Sequence, residues 1–173
     1  MREAERNGWS VLCEDESIFL YDSVSRYVWT KRGSRPLVMT TGSHRRTCLF
    51  GTISLNRKQL FRQYSTVNGK NFLNYMTQLK RRFSPLLIFI DRSAPHQRDR
   101  QVQRWLCSNR NTVKVRWFPK ARPELNPVEE CWNQSREIIQ ANRIHPTFEA
   151  MKKEISKTLR TKRFKLDIVK YLC

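Results

Sequence analysis

No run of about 18 apolar residues occurs anywhere in the 173-residue sequence, so it holds no candidate transmembrane helix. The opening segment MREAERNGWSVLCEDES lacks the apolar core of a signal peptide, which leaves the cytoplasm or nucleoid as the default location. Cysteines number five, an odd count, and no C-x-x-C spacing is present. That argues against a zinc site or a disulfide framework and for small apolar core residues in a reducing compartment. Asn68-Gly69-Lys70 lacks the spacing of a phosphate-binding loop, so no nucleotide site is assigned. His44 and His145 are isolated and expected at the surface. No internal repeat or low-complexity segment is present.

Acidic residues are also scarce. Asp plus Glu is 15 against 34 Lys plus Arg, a formal net charge of +19. Such a surface attracts polyanions, nucleic acid first among them. A solvated basic face or an anionic-lipid binder is the alternative. The cations are spread over many segments, whereas a lipid binder concentrates them on one amphipathic helix. Hydrophobic residues make up 39%, with five Trp and nine Phe, so the chain can bury a core. The length fits one domain, or one plus a short extension.

Along the chain, WSVLCEDESIFL reads as a strand running into a loop, and Val11, Cys13 and Asp15 share one face of that strand. Residues 25–36, SRYVWTKRGSRP, read as a second strand ended by Gly33 and Pro36. RTCLFGTISL is a third and KQLFRQYST a short fourth, joined as an antiparallel meander. Phe72, Tyr75, Met76, Leu79 and Phe83 then recur at helical spacing. PLLIFID is a continuous apolar run that predicts a buried central strand. HQRDRQVQRWLCSN predicts a helix and TVKVRWFP a strand. From Pro127 onward the pattern is helical: PVEECWNQSREIIQAN, TFEAMKKEISKTLRT and KLDIVKYL. This order predicts an α/β fold of the RNase H-like kind, in which a three-strand antiparallel meander and parallel strands make a mixed sheet flanked by helices. The expected core is 1–141, and 142–173 is a basic helical extension. Met151–Lys170 holds eight Lys or Arg against two acids, a solvated face or a surface for a nucleic-acid backbone.

Three acids stand at informative places. Asp15 ends the first strand and Asp91 ends PLLIFID, where a carboxylate after six largely apolar residues is costly unless solvated, paired or metal-bound. Turn amides could satisfy either one. Acids at the carboxyl ends of central strands are also well placed for a crevice site. Glu129 lies in Asn126-Pro127-Val128-Glu129, which fits a helix start: Asn caps, Pro opens, and a glutamate takes the capping-box position. The apolar stripe of that helix runs through Val128, Cys131, Trp132, Ser135 and Ile139. At about 100° per residue, Glu129 flanks the stripe, while Glu130 and Glu137 turn outward and are expected exposed. Three carboxylates meeting in one crevice of a basic protein suit Mg²⁺ or Mn²⁺, and two such ions about 4 Å apart can clamp a phosphodiester.

EDES, RYVWTKRGSRP, LLIFIDRSAPHQ and PELNPVEECW occur in the order seen in DDE transposases of the mariner superfamily, and the chain resembles the bacterial and archaeal insertion-sequence branch in particular. The resemblance covers nearly the whole chain. It implies an RNase H-like catalytic core with Asp15, Asp91 and Glu129 as the catalytic, metal-binding triad. It implies Mg²⁺ or Mn²⁺ as cofactor, cleavage at transposon ends, joining of the freed 3′-hydroxyl to target DNA at TA, and work as a homodimer or higher assembly. His96 matches a histidine that commonly follows the second acid. Trp132 matches a tryptophan packing the last helix, and Trp29 with Arg32-Gly33 a second-strand motif. Arg32, Arg35, Arg92, His96, Lys120 and Arg122 are the candidate DNA contacts.

Departures from the pattern are Arg92, where the family often has Asn, and Ala121-Arg122 in place of Tyr-Ser. Nothing fits the family's N-terminal helix-turn-helix domain, so its absence and a possible separate helix-turn-helix subunit are expected. Two other readings stay open: an inactive relic that only binds DNA, and an RNase H-like nuclease that hydrolyses without strand transfer.

Overall fold

The computed structural model describes residues 2–92, 98–120 and 122–172; His96 and Ala121 lie outside the described residues. Among these, five strands form one mixed sheet in the order β3-β2-β1-β4-β5. Strands β1 (Ser10–Leu20), β2 (Arg46–Ser54) and β3 (Gln59–Tyr64) make an antiparallel meander. Strand β4 (Leu86–Ile90) runs parallel to β1, and β5 (Val113–Trp117) parallel to β4. Helix α1 (Arg2–Arg6) precedes the sheet. Helix α2 (Gly69–Phe83) joins β3 to β4, and α3 (Arg100–Ser108) lies between β4 and β5. After β5 come a 3₁₀ turn (Pro123–Leu125), α4 (Pro127–Ile139), α5 (Phe148–Thr161) and α6 (Val169–Leu172). This is the expected mixed, RNase H-like sheet.

Period-two alternation divides the sheet between two cores. Leu12 and Phe50 pack with Phe72, Tyr75, Met76 and Leu79 of α2 and Val102 of α3. Cys13, Phe19, Leu49 and Ile53 pack on the other side with Val128, Cys131, Trp132 and Ile139 of α4. Met151, Ile155 and Leu159 of α5, then Phe164, enter that same second core. The basic segment from Phe148 to Ile168 therefore rests its apolar side on the sheet. Of the cysteines, Cys13, Cys48 and Cys131 are buried while Cys107 is exposed.

The segment 25–36 is not a strand. The meander's second and third strands are instead those expected as the third and fourth. Alternating aromatic and β-branched residues favour a strand only where a partner edge is open. One edge of β1 is taken by β2 from Leu12 to Leu20, and β4 takes the other at Ser10–Cys13. Residues 21–45 instead form an arm closed at its neck, where Asp22 Oδ1 accepts from the Thr41 amide at 3.0 Å. Val24 bridges to Ala141, and the Asn142 side chain pairs with the Arg26 backbone through both its oxygen and its nitrogen. The Arg26 guanidinium also pairs with Glu137. Beyond the neck, the rings of Tyr27 and Trp29 are fully exposed.

The expected helix over residues 96–109 is seen as α3, starting at Arg100; Asp99 caps it by accepting from the amides of Gln101 and Val102. His145 is not at the surface. It is buried, its Nε2 lies 2.8 Å from the Ile139 carbonyl, and its own carbonyl accepts from the Tyr21 hydroxyl. Capping the end of α4 gives this ring a buried partner that isolation in sequence does not reveal. No helix among the described residues is long and apolar enough to cross a membrane.

Candidate active site

Neighbouring parallel strands bring the first two acids together. Cys13 pairs with Phe89 across β1 and β4, and Asp15 and Asp91 each follow two residues later. Two residues preserve the face, and adjacent strands lie about 4.8 Å apart. Phe89 packs against the core that contains Cys13, the α4 side, so both carboxylates belong to that side. Asp15, Asp91 and Glu129 line one cleft of about 190 Å³ with Phe118, Pro119, Arg122, Pro123 and Asn126.

The third acid arrives on a helix start that is tied to β1. Asn126 Oδ1 accepts from the Val128 amide at 3.2 Å, while its Nδ2 donates to the Glu14 carbonyl at 3.1 Å. One buried side chain thus caps α4 and locks it to the residue before Asp15. The capping box suggested by the sequence does not form, because the Asn126 amide already donates to the Pro123 carbonyl. The Glu129 side chain is left on the cleft wall. Glu130, expected exposed, is half-buried and accepts from Gln134 Nε2 at 2.9 Å, one turn along the helix. Glu137 is exposed, as expected.

Trp132 holds Asp15 directly. The indole Nε1 donates to Asp15 Oδ2 at 2.9 Å, and both side chains are buried. The ring fits because Gly51 lies opposite Asp15 on β2. A Cβ at Gly51 would stand 2.5 Å from the Trp132 ring and 2.7 Å from Phe61.

Burial pushes the Asp15 carboxyl up to about 8, and the charges of Glu129, Glu16 and Asp91 push the same way, against the Trp132 hydrogen bond. The acids therefore repel one another across the cleft. Arg136 is the counterweight on the same helix. Burial lowers its pKa, while Glu129 and Asp15 favour its charge. Its Nη2 donates to Ser17 Oγ at 2.6 Å, and its guanidinium stands over Phe19. Sequence reading passed over Arg136 and the second bond of Asn126. The signal for Arg136 is its seven-residue offset from Glu129, two helical turns along one stripe.

Of the other candidates among the described residues, only Arg122 lines the cleft, where its exposed guanidinium pairs with Glu124 at 3.3 Å. Arg92 and Lys120 are exposed and do not line it. Arg32 and Arg35 lie on the exposed arm, and His96 is outside the described residues.

Among the described residues, no three His, Cys, Asp or Glu side chains converge tightly enough to hold an ion as they stand. The donor chemistry nonetheless fits a hard cation. The cleft offers carboxylate oxygens that repel one another, and the nearby thiols of Cys13 and Cys131 are held protonated by burial.

Comparison with solved structures places the fold. A Mos1 transposase paired-end complex with left transposon end matches with a TM-score of 0.67 and 15% identity, covering 99% of this chain and 53% of that one. The mariner Mos1 paired-end complex with Mg matches at 0.69 and 17% identity, covering 94% and 52%. The catalytic core domain of BIV integrase matches at 0.51 and 13% identity, covering 90% and 86%. At these identities the likeness is one of fold, and the chain spans about half the length of the Mos1 chains. No curated protein matched the sequence. The family description "DDE superfamily endonuclease" matches residues 10–152, from the first residue of β1 into α5 and through all three acids, and the chain belongs to that family.

Proposed function

We propose that this chain is the catalytic part of a transposase of the mariner superfamily, from an insertion-sequence element, which cleaves DNA at transposon ends and joins the freed 3′-hydroxyl to a TA target. The observation that carries the reading is the meeting of Asp15, Asp91 and Glu129, from three elements, on one cleft of a chain with net charge +19. These residues are the proposed ligands for Mg²⁺ or Mn²⁺. When bound, the metal supplies Lewis-acid activation of the attacking oxygen and neutralises charge at the departing one.

The chain's own residues have separate tasks. Trp132 fixes the orientation of the Asp15 carboxylate, and Asn126 holds the first turn of α4 against β1 so that Glu129 faces the cleft. Arg122 at the rim meets a phosphate oxygen of the incoming strand, a charge-assisted contact. We further propose a homodimer or higher assembly on DNA and action at the nucleoid.

The test is a strand-nicking and strand-transfer assay with Mg²⁺ or Mn²⁺. Asp91→Asn and Glu129→Gln are expected to abolish both steps while leaving duplex binding intact. Parental activity in either variant would sink the triad.

A further inference from the structure

The sheet edge formed by β3 carries a second feature, separate from the acidic cleft. A cleft of about 400 Å³ opens between β3, the last turn of α2 and the flank of α5 from Ile155 to Arg160. Its walls carry Arg62, Arg82, Arg160 and Arg163, and it shares no lining residue with the site of the three acids. Its floor is firm: Leu60, Phe61, Ile155 and Leu159 are all buried. A neighbouring hollow adds Arg81, and another adds three lysines along α5. Together they form an open, connected track.

Two of the cations on this track, Arg62 and Arg163, are held by neutral acceptors. Arg62 Nε donates to Gln78 Oε1 at 2.6 Å and its Nη1 to the Phe61 carbonyl at 2.9 Å. Arg163 Nη1 donates to the Arg160 carbonyl at 3.1 Å. Among the described residues lining these hollows, the one acid is Glu149, which Lys152 and Arg45 already engage. The cations on these hollows thus far outnumber the one acid, and the net positive field raises the local concentration of polyanions. The track's length suits a repeating anion better than a single small one. A second copy of this chain would bring like charge to the same place.

We propose that this track binds the sugar–phosphate backbone of a DNA segment distinct from the one in the acidic cleft, a reading that rests on DNA being the substrate. Such a contact is independent of base sequence and strongly salt-dependent. It lets one protomer hold two stretches of duplex at once.

The test uses chains that also carry Asp91→Asn, so that cleavage does not interfere. Arg82→Glu/Arg160→Glu is compared with Arg104→Glu/Arg110→Glu, an equal charge change at exposed positions on and after α3. Arg81→Gln/Arg163→Gln is a milder second pair. Binding of a 30-base-pair duplex (about 100 Å long) is read by fluorescence anisotropy at several salt concentrations. The first pair is expected to weaken binding at least ~10-fold and to reduce the slope of log affinity against log salt by about 2, the mark of two lost phosphate contacts. The α3 pair is expected to leave that slope nearly unchanged. Equal losses in both pairs would overturn the proposal. So would poly-glutamate of matched charge competing as well as DNA, or a changed oligomeric state with DNA affinity intact. These readouts need no catalysis, so a failed nicking assay would count against the proposed activity and leave this result standing.

Discussion

The Trp132 indole nitrogen and the Asp15 carboxylate, 117 residues apart in sequence, meet in a buried 2.9 Å hydrogen bond. That bond sets which way the carboxylate points into the cleft. Trp132→Phe keeps an aromatic ring in the core and deletes the donor. Nicking is expected to fall by about 10- to 100-fold, as when an outer-shell partner of a metal ligand is lost. A thermal melt is expected to show a much smaller loss, and unchanged nicking would remove Trp132 from the site.

Asp15 also makes the metal-free protein sensitive to pH. Its carboxyl is raised in the folded state from the ordinary 3.8 to about 8. The folded chain therefore holds this proton more tightly than the unfolded one. Stability from this group is full below about pH 4 and is lost as the pH rises through about 8. Asp15→Asn, which keeps an oxygen for Trp132, is expected to raise the melting temperature of metal-free protein by several degrees at pH 8.5 and little at pH 4. Calorimetry at the two pH values decides; equal shifts at both would refute the burial and repulsion argument.

The two adjacent glutamates are expected to separate cleanly. Glu129→Gln should reduce metal-dependent nicking by more than the ~100-fold that loss of an outer-shell partner costs. Glu130→Gln keeps an acceptor for Gln134 and should stay within about threefold of the parent, since Glu130 does not line the cleft and a change away from the reacting groups that keeps its hydrogen bond costs little. Side-by-side rates at saturating Mn²⁺ are the measurement.

Asn126 does two jobs with one amide. Asn126→Ala removes both the cap and the tie to Glu14 and is expected to cost about 1–3 kcal/mol. Asn126→Asp retains the cap acceptor but turns a donor into an anion beside the Glu14 carbonyl. It should retain more stability than the alanine variant in a denaturant titration yet nick no faster. A faster rate would show that the tie does not position Glu129.

Gly51 is required by contact rather than by backbone angle. Gly51→Ala forces its Cβ against the rings of Trp132 and Phe61. A loss of about 1–3 kcal/mol is expected from overpacking. Combined with Trp132→Phe, the penalty should shrink, and a double-mutant cycle showing simple additivity would exclude the clash.

Much of this was legible without coordinates. The periodicity of Phe72 to Phe83 and the apolar run before Asp91 specify α2 and β4, because local spacing decides which face a helix or strand must bury. Asn126-Pro127 specifies the start of α4 for the same local reason. The pattern of acids and the PELNPVEECW segment were enough to name Asp15, Asp91 and Glu129, which line one cleft, but not to show that Glu130 is half-buried. Tertiary structure alone decided the rest, because it depends on which surfaces meet. Residues 25–36 have the composition of a strand, but β2 already holds β1 from Leu12 to Leu20 beside them. His145 looks solitary until α4 ends beside it. The Trp132–Asp15 bond, the Asn126 tie and the basic track joining α2, β3 and α5 each combine residues far apart in the chain, and no local period encodes such a meeting.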